Sequence, residues 1–260
     1  MSNFFDKNIL ITGCANGIGR DLVIQISKLG CKKIFLVDLD KTGLENLSTE
    51  LNCDHEIIVT DLSSRVFEDS NLINIFNQNF IEIIICNAGL GGINPGDNFN
   101  EKINQKMMAV NYFGTTSIVS LALPKMILNK TGHIVGVASL AGLRGMPQAA
   151  SYSASKSAQI TFLESMRLDL RPYGINVTTV HPGFIKTRMT NHQEFKMPFM
   201  ITSQQTATKI IKSILKNKRT VYFPFPINLL SLLNRFFPTW FYDRIILLLN
   251  PPQKKSAKIF

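Results

Sequence analysis

Short apolar runs alternate along this chain with longer segments that have helical periodicity. Six of the runs have the length and composition of β-strands: NILIT, KIFLVD, EIIVTD, IEIIICN, GHIVGVAS and GINVTTVHP. Continuous apolar strands separated by amphipathic helices are typical of a parallel sheet that is covered on both faces and joined by right-handed crossovers. The pattern therefore predicts an α/β fold with a doubly wound parallel sheet in a three-layer αβα arrangement.

The domain organisation predicted from the sequence is simple. The 260 residues suffice for one large domain, and neither an internal repeat nor a low-complexity linker precedes about residue 220. We expect a single domain over residues 1–225 and an apolar extension over residues 226–260. The extension has no uncharged apolar run of the roughly 18 residues that a membrane-spanning helix needs. It could cap a ligand pocket, contact another subunit, or lie in a membrane interface through its FFPTWFY cluster and nearby basic residues.

The composition, 45% hydrophobic and 18% charged, indicates a globular chain. A net charge of +10 favours anionic partners, but no basic block with interleaved aromatic residues is present, so we expect no nucleic-acid binding. The four cysteines have no zinc-type spacing, which predicts no metal site and a reducing compartment. Because the amino terminus lacks the features of a signal peptide, we expect a cytoplasmic protein, peripheral to the membrane if the extension binds lipid.

A glycine-rich turn, TGCANGIGR, follows the first predicted strand. Glycine there lets the backbone turn tightly and approach a pyrophosphate, while the next helix offers unpaired N–H groups and a partial positive charge at its amino terminus. The position of the turn, directly after the first strand, predicts a Rossmann-type dinucleotide site. The cofactor-binding residues expected here are Thr12, Gly13, Asn16, Gly17, Ile18 and Gly19.

The end of the second predicted strand indicates which dinucleotide binds. Asp38 stands where dinucleotide folds place the carboxylate that accepts hydrogen bonds from the adenosine ribose. That carboxylate repels the 2′-phosphate of NADP, and neither Asn16 nor the neighbouring Leu39 offers a cation to bind the phosphate. Asp40 adds negative charge, and only Lys41 opposes it. We therefore expect NAD as the cofactor in preference to NADP.

The stretch SYSASKSAQI places Tyr152 and Lys156 four residues apart. In a helix, residues i and i+4 share a face, so the ammonium lies within reach of the phenol or of a ligand beside it. A tyrosine has a pKa of about 10 in solution, and acid–base chemistry near neutrality needs a positive charge that stabilises the phenolate. Lys156 can supply that charge, although the pair alone is also compatible with an exposed helical face.

Together with further motifs, this arrangement resembles the short-chain dehydrogenase/reductase family, in its compact single-domain branch. The resemblance spans roughly residues 7–223. Besides the glycine turn and YxxxK, the motifs that carry it are Asp61, NAG at 87–89, NYFG with Asn111, Ser139, and PGFIKT at 182–187. The resemblance implies an enzyme that interconverts an alcohol and a carbonyl group by hydride transfer.

The resemblance also implies a catalytic set of four residues. Tyr152 would be the general acid in carbonyl reduction or, as phenolate, the general base in alcohol oxidation. Lys156 would bind the nicotinamide ribose and lower the pKa of the tyrosine. Ser139 would hydrogen-bond the substrate oxygen. Asn111 would hold a water molecule that links Lys156 to solvent.

Further cofactor contacts are implied outside the glycine turn. Those expected at the adenosine side are Asp38, Leu39, Asp61, Leu62, Asn87, Ala88 and Gly89. Those expected toward the nicotinamide and the phosphates are Tyr152, Lys156, Pro182, Gly183, Ile185 and Thr187. The family further implies self-association as a homodimer or homotetramer.

The segments that would flank the nicotinamide are rich in methionine, leucine and phenylalanine. Such side chains adapt to apolar ligands without offering polar contacts, so we expect a hydrophobic alcohol or ketone of lipid, steroid or retinoid type. The residues expected to contact the substrate are Ser139, Leu140, Met146, Tyr152, Phe184 and Met189. The alternative hypothesis is a regulatory or scaffold protein of the same fold that binds NAD(H) without significant turnover.

Overall fold

The computed structural model describes residues 4–64, 70–186, 199–249 and 256–260. Within these ranges, seven parallel strands form the central sheet. They are β1 (Asn8–Thr12), β2 (Lys33–Asp38), β3 (His55–Val59), β4 (Ile83–Cys86), β6 (Gly132–Val137), β7 (Ile175–Pro182) and β10 (Thr220–Phe223). Two-residue strands outside this sheet are β5 (Gly92–Ile93), β8 (Ile185–Lys186), β9 (Ile201–Thr202) and β11 (Lys258–Ile259).

Helices cover the sheet on both sides. Those in the described ranges are α1 (Gly17–Ile26), α2 (Lys41–Ser48), α3 (Ser70–Gln78), α4 (Glu101–Met108), α5 (Gly114–Asn129), α6 (Ala150–Asp169), α7 (Ser203–Leu215), α8 (Ile227–Asn234) and α9 (Thr239–Leu249). A π-helical turn, 109–113, joins α4 to α5.

The alternation of side chains along β1 shows how the two layers form. Ile9 and Ile11 are buried in one core with residues of α1, α2 and α7, whereas Leu10 is buried in the other core with residues of α3, α5 and α6. Successive residues of a strand point to opposite faces, so both faces of the sheet are apolar and both are covered. The doubly wound, three-layer αβα fold predicted from the sequence is confirmed.

The strand order, β10–β7–β6–β4–β1–β2–β3, identifies where a ligand can bind. The sheet extends from β1 in two directions, first through β2 and β3 and then through β4, β6, β7 and β10. In open α/β sheets, ligands occupy the crevice at the carboxyl ends of the strands, at the point where the order reverses. The loops that follow β1 and β4 meet at that crevice.

One strand was missing from the sequence prediction. The edge strand β10 has only four residues, three of them partly buried, so its apolar run is too short to indicate a strand. It is held by parallel pairing with β7, which the local sequence does not reveal. The predicted strands EIIVTD and GHIVGVAS also extend two residues too far, because Asp61 and Ser139 already belong to the loops beyond β3 and β6.

The apolar extension folds back onto the rest of the chain. After α8 and α9, the last described segment forms β11, which pairs antiparallel with β5 in the loop that follows β4. The N–H of Phe260 also donates to the carbonyl of Gly91 at 2.9 Å. Nowhere in the described ranges is a helix both long and apolar enough to cross a bilayer.

Candidate active site

The glycine turn after β1 is built by close contact between two backbone segments. Gly13 and Gly17 have φ angles of +69° and +58°, which side chains other than glycine rarely adopt. A Cβ atom on Gly13 would lie 2.6 Å from the Cα of Ala88, and one on Gly19 would lie 2.1 Å from the carbonyl oxygen of Gly13. The turn therefore requires glycine at positions 13 and 19, where a Cβ atom has no space, and favours glycine at position 17, where φ is positive. Ile18 lies half-buried in the first turn of α1, against the core.

The start of α1 is suited to bind an anion. Asn16 occupies the N-cap position, but its side chain caps no N–H of the helix and instead donates to the Asp40 carboxylate at 3.3 Å. The first N–H groups of a helix have no partner within the helix and carry a partial positive charge. A pyrophosphate fits this position, so the turn suits a dinucleotide.

Thr12 and Asn87 hold the turn in place from beneath. The Asn87 amide donates to the carbonyls of Thr12 at 3.1 Å and Gly13 at 2.9 Å. The Thr12 hydroxyl accepts from the N–H groups of Asn87 at 3.1 Å and Ala88 at 3.0 Å. These side chains, which the sequence assigned to cofactor binding, thus join the ends of β1 and β4 to each other.

The adenosine side carries two carboxylates. Asp38 accepts hydrogen bonds from the N–H groups of Ala15 at 2.9 Å and Asp40 at 3.1 Å. Asp40 caps α2 by accepting from the N–H of Gly43 at 2.9 Å. Leu39, between them, is exposed. The nearby cation Lys41 is paired with Glu45 at 3.7 Å.

Asp61 and Leu62, which follow β3, differ in their surroundings. Asp61 is exposed, and its carboxylate accepts from the N–H and hydroxyl of Ser63 at 2.8 and 2.7 Å. Leu62 is buried in the core beside the first residue of α5, where a Cβ on Gly114 would lie 3.2 Å from its Cβ. Asp61 is therefore open to a ligand, while Leu62 anchors the loop.

The segment after β7 forms the opposite wall. The N–H of Gly183 donates to the carbonyl of Phe223 at 2.8 Å, and a Cβ on Gly183 would lie 3.2 Å from Leu140. Pro182 ends β7 and is buried. Phe184 is half-buried, and Ile185 is buried in the short β8–β9 pair. Thr187 and Met189, assigned to cofactor and substrate, lie outside the described residues.

Tyr152 and Ser139 meet at the centre of this edge. Ser139 follows β6 and is buried, and its oxygen accepts from the N–H of Ala141 at 3.1 Å. Tyr152 lies in the first turn of α6, partly exposed. Burial raises the pKa of the Tyr152 phenol, and its hydrogen bond with the Ser139 side chain lowers that pKa. The two hydroxyl groups therefore form a contiguous pair that can share one oxygen of a ligand.

Lys156 lies one helical turn beyond Tyr152 and is buried. Its ammonium donates to the carbonyl of Val137 at 2.8 Å and to Oε1 of Gln159 at 3.1 Å. Burial lowers the pKa of Lys156 to about 7, because both acceptors are neutral and do not replace the lost hydration. The resemblance attributes a lowered Tyr152 pKa to Lys156, but here burial raises that pKa and the Ser139 hydrogen bond opposes the increase.

Asn111 lies in the π-helical turn and is fully buried. Its amide donates to the carbonyl of Leu90 at 3.0 Å and to Ser155 at 2.9 Å, and its oxygen accepts from the N–H of Leu90 at 2.7 Å. The side chain thus joins the loop after β4 to α6. A Cβ on Gly89 would lie 3.2 Å from Asn111 and 3.3 Å from the Lys156 ammonium.

Gln159 and Thr115 also belong to the site, although the sequence does not predict them. The Gln159 amide donates to the Thr115 hydroxyl at 2.8 Å, and that hydroxyl donates to the carbonyl of Asn111 at 3.0 Å. Together with Lys156, these groups form a buried polar chain between α5 and α6. A glutamine one turn after Lys156, on the buried face of α6, was the only available signal.

The loop between Ser139 and α6 contains two of the residues that are expected from the sequence to contact the substrate, Leu140 and Met146. Leu140 is buried, and Met146 is half-buried with its sulfur 3.7 Å from the Tyr242 hydroxyl. Arg144 in the same loop lies 3.9 Å above the Tyr242 ring and donates to the carbonyl of Phe237 at 2.9 Å. The extension therefore packs directly on the loop that leads from Ser139 to Tyr152.

Comparison with known proteins agrees with this architecture. The family model for short chain dehydrogenases matches residues 7–197. An uncharacterized oxidoreductase of Myxococcus xanthus is 29% identical over 247 residues, which cover 94% of this chain and 97% of that protein. The 17-beta-hydroxysteroid dehydrogenase 13 of Rattus norvegicus is 29% identical over 253 residues, covering 94% and 82%.

Among solved structures, a short chain dehydrogenase from Burkholderia cenocepacia in complex with NADP has a TM-score of 0.80 at 22% identity. The similarity covers 97% of this chain and all of that one, 100%. The chain belongs to the short-chain dehydrogenase/reductase family. It is an oxidoreductase with an NAD(P)-binding Rossmann fold, as the resemblance implied.

Proposed function

We propose that this protein is an NAD-dependent oxidoreductase that interconverts a secondary alcohol and a ketone on a hydrophobic substrate. The observation that carries the proposal is the Tyr152–Ser139 pair with the Lys156 ammonium one turn away. This group stands at the sheet edge where the glycine turn and Gly89 suit a dinucleotide. NAD(H), when bound, supplies or accepts the hydride.

In the direction of reduction, Tyr152 donates its phenolic proton to the carbonyl oxygen as negative charge develops there. Burial favours the protonated phenol, which suits a general acid. Ser139 donates a hydrogen bond to the same oxygen and holds it against the phenol. In oxidation the phenolate accepts the alcohol proton, and the hydrogen bond from Ser139 stabilises the phenolate.

Lys156 and Asn111 have supporting roles in this mechanism. The ammonium lies beside Gly89, so a ribose hydroxyl bound there has a donor within reach. Asn111 fixes the loop that contains Gly89 and Leu90 to α6, and thereby sets the distance between that loop and Lys156. We place Asn111 as a positioning residue, because its amide groups all have protein partners.

The preference for NAD rests on the charges around β2. Asp38 and Asp40 present two carboxylates near the place of the adenosine ribose. The cations that could offset them are engaged elsewhere, Lys41 with Glu45 and Arg20 with Glu50. A 2′-phosphate would thus meet two carboxylates, and the one lysine next to them in sequence, Lys41, shares its charge with Glu45.

The proposal that the substrate is hydrophobic is based on the apolar side chains near Ser139. Leu140 follows Ser139 directly, Met146 lies in the same loop, and Phe184 follows Gly183, whose Cβ position is 3.2 Å from Leu140. We further propose that residues 1–225 form the catalytic domain. Residues 226–260 form an extension that packs on this domain through the contact of Tyr242 with the loop at Gly145.

The test of the catalytic proposal is turnover of a panel of secondary alcohols, steroids, retinoids and acyl-chain ketones with NAD(H), followed at the nicotinamide absorbance. We expect Tyr152→Phe to lower kcat/KM by about 100-fold or more with the Kd for NADH unchanged. Tyr173→Phe, at an exposed tyrosine outside the site, is the matched control. Wild-type binding of NADH without turnover would favour the regulatory or scaffold alternative.

The cofactor proposal has its own test. We expect Asp38→Ala to lower the ratio of kcat/KM with NAD to that with NADP by about tenfold or more, because it removes one repulsive charge. Asp97→Ala, which removes an exposed carboxylate in another loop, should leave the ratio unchanged. A wild-type enzyme that prefers NADP would contradict the proposal.

A further inference from the structure

The extension has many large apolar side chains that are exposed in the part of the chain that the structure describes. Phe236 is 82% exposed, Leu248 77% and Trp240 70%. Soluble proteins rarely expose contiguous apolar patches of this kind unless the patch binds something. We call this surface the apolar plateau, and its members are Leu230, Leu233, Phe236, Trp240, Leu247 and Leu248.

The outward orientation of the plateau is fixed by the other face of α9. Tyr242 and Ile246, at spacing i and i+4, are buried against the domain. The Tyr242 hydroxyl donates to the carbonyl of Gly145, and its ring stacks under the guanidinium of Arg144. Trp240, at i−2 from Tyr242, therefore points away from the domain. The α9 part of the plateau cannot turn inward unless these contacts break.

Aromatic contacts also organise the plateau. The ring of Phe241 lies edge-on to Phe237 with centroids 5.0 Å apart, and 5.6 Å from the ring of Trp240. Such pairs keep large side chains in one arrangement before any partner binds, which reduces the entropy lost on binding. Trp240 is therefore held in place before any partner binds.

The charged residues of this segment favour one partner for the apolar plateau over another. Arg235 and Arg244 are exposed among the apolar residues, with Asp243 as the opposing carboxylate. Arg244 shares its face of α9 with Trp240 and Leu248, at i−4 and i+4. In a symmetric contact with a second copy, the arginines of one face would approach the same face of the other. Against a bilayer, the Arg244 guanidinium can bind a lipid phosphate while its aliphatic stem stays among the apolar groups.

We propose that the apolar plateau docks on the surface of an anionic lipid bilayer. The two helices are short, 8 and 11 residues, and lie in the interface with leucine and aromatic side chains inserted at the level of the acyl chains. Tryptophan favours that depth. The net charge of +10 attracts the protein to the anionic surface over longer distances.

The docking surface is linked to the site but does not depend on the proposed reaction. The carbonyls of Asn234 and Phe237 accept from Arg144, so the connection between α8 and α9 is fastened to the loop before Tyr152. A bound bilayer would therefore lie next to the edge of the sheet that contains Ser139 and Tyr152. It can be measured without any turnover.

Trp240 is the only tryptophan of the chain, so its fluorescence reports this surface directly. We expect its emission to shift to shorter wavelength on addition of phosphatidylcholine vesicles with roughly 30% phosphatidylserine, and to be quenched by brominated acyl chains. Vesicles of phosphatidylcholine alone should bind about tenfold less, and added salt should weaken the binding.

Two variants make the test specific and leave Trp240 as the reporter. Phe236→Glu/Leu248→Glu should reduce the vesicle-bound fraction in co-sedimentation by about tenfold or more, because two inserted side chains become charged. Leu128→Glu/Leu168→Glu makes the same change of charge at exposed leucines of α5 and α6, and should bind as the wild type does.

Three outcomes would overturn the proposal. The first is a wild-type protein whose Trp240 emission ignores vesicles. The second is equal loss of binding in both variants, which would reduce the effect to net charge. The third is a concentration-dependent shift of Trp240 emission without lipid that the plateau variant abolishes, which would make a second copy of the chain the occupant.

Discussion

Lys156 brings its ammonium into the interior of the domain, where the carbonyl of Val137 and the amide oxygen of Gln159 replace its water shell. Neither acceptor is charged, and burial lowers the pKa of Lys156 to about 7. Near neutral pH, Lys156 is therefore present in both its protonated and its neutral form. Any change in these acceptors shifts the pH range in which the proposed mechanism has its cation.

Gln159 gives a direct test of this balance. Gln159→Leu removes an acceptor from the ammonium, so the pKa of Lys156 should fall, and activity should be lost at a lower pH as the lysine deprotonates. Gln159→Glu adds a negative partner, so the same limb of the pH profile should move to higher pH. We expect shifts of about one pH unit in opposite directions in kcat/KM. A purely structural role of Gln159 would change the height of both profiles without moving them apart.

Residues whose role depends on tertiary contacts, such as Gln159, are the ones that the sequence does not predict. Tyr152, Lys156 and Ser139 were recognisable because they follow strands or share a short motif. Gln159 was not, because its partner Thr115 is 44 residues away and a glutamine in a helix usually faces solvent. The arrangement around Lys156 depends on tertiary contacts that no local pattern encodes.

Among the elements, the loop after β4 lies close to both helix α6 and the π-helical turn at Gly89. The side-chain space of Gly89 is already occupied by the amide of Asn111 and the ammonium of Lys156, 3.2 and 3.3 Å from the position of a Cβ. The amide holds the loop at this distance through both backbone groups of Leu90. A side chain at this position would therefore have to displace the Asn111 amide or the Lys156 ammonium by a few tenths of an ångström.

We expect Gly89→Ala to lower kcat by about tenfold or more, because the added methyl group moves the ammonium from its place beside the cofactor. Gly96→Ala, where a Cβ meets nothing within 4 Å, is the control and should keep wild-type kcat. Steady-state kinetics with thermal melts of both variants distinguishes the two cases. Equal kcat in the two variants, with both folded, would mean that the loop yields and that Lys156 is not displaced.

The elements themselves were largely predictable. The strands of the sheet interior are continuous apolar runs, and burial on both faces makes them visible in the sequence. The π-helical turn at 109–113 was not predicted, because it arises where Asn111 bonds to Leu90 across 21 residues. The same holds for β11, whose pairing with β5 joins distant parts of the chain.

At the scale of the whole molecule, two histidines interrupt the apolar sheet. His133 on β6 is buried with its Nε2 2.8 Å from the Thr178 hydroxyl, and His181 on β7 is buried against the ring of Tyr222. Burial lowers the pKa of each to about 4. Both are therefore neutral in the folded protein under conditions in which the unfolded chain would begin to protonate them.

The sheet should consequently become less stable in mild acid. A histidine in the unfolded chain has a pKa of about 6.5. As the pH falls from about 6.5 toward 4, the unfolded state binds protons that the folded state does not, so the free energy of unfolding decreases. Above that window the stabilisation is fully present, and below the folded pKa it is lost completely.

His133→Gln isolates the contribution of one histidine, because glutamine can still bond Thr178 but does not titrate. We expect urea unfolding of the wild type to lose more stability between pH 7 and pH 4.5 than that of the variant, by on the order of 1–3 kcal/mol. His55→Gln, at a partly buried histidine at the start of β3, serves as the matched control. If the wild type and His133→Gln lost equal stability over this range, the protons would bind elsewhere, and His133 would be hydrated or mobile enough to titrate normally in the folded sheet.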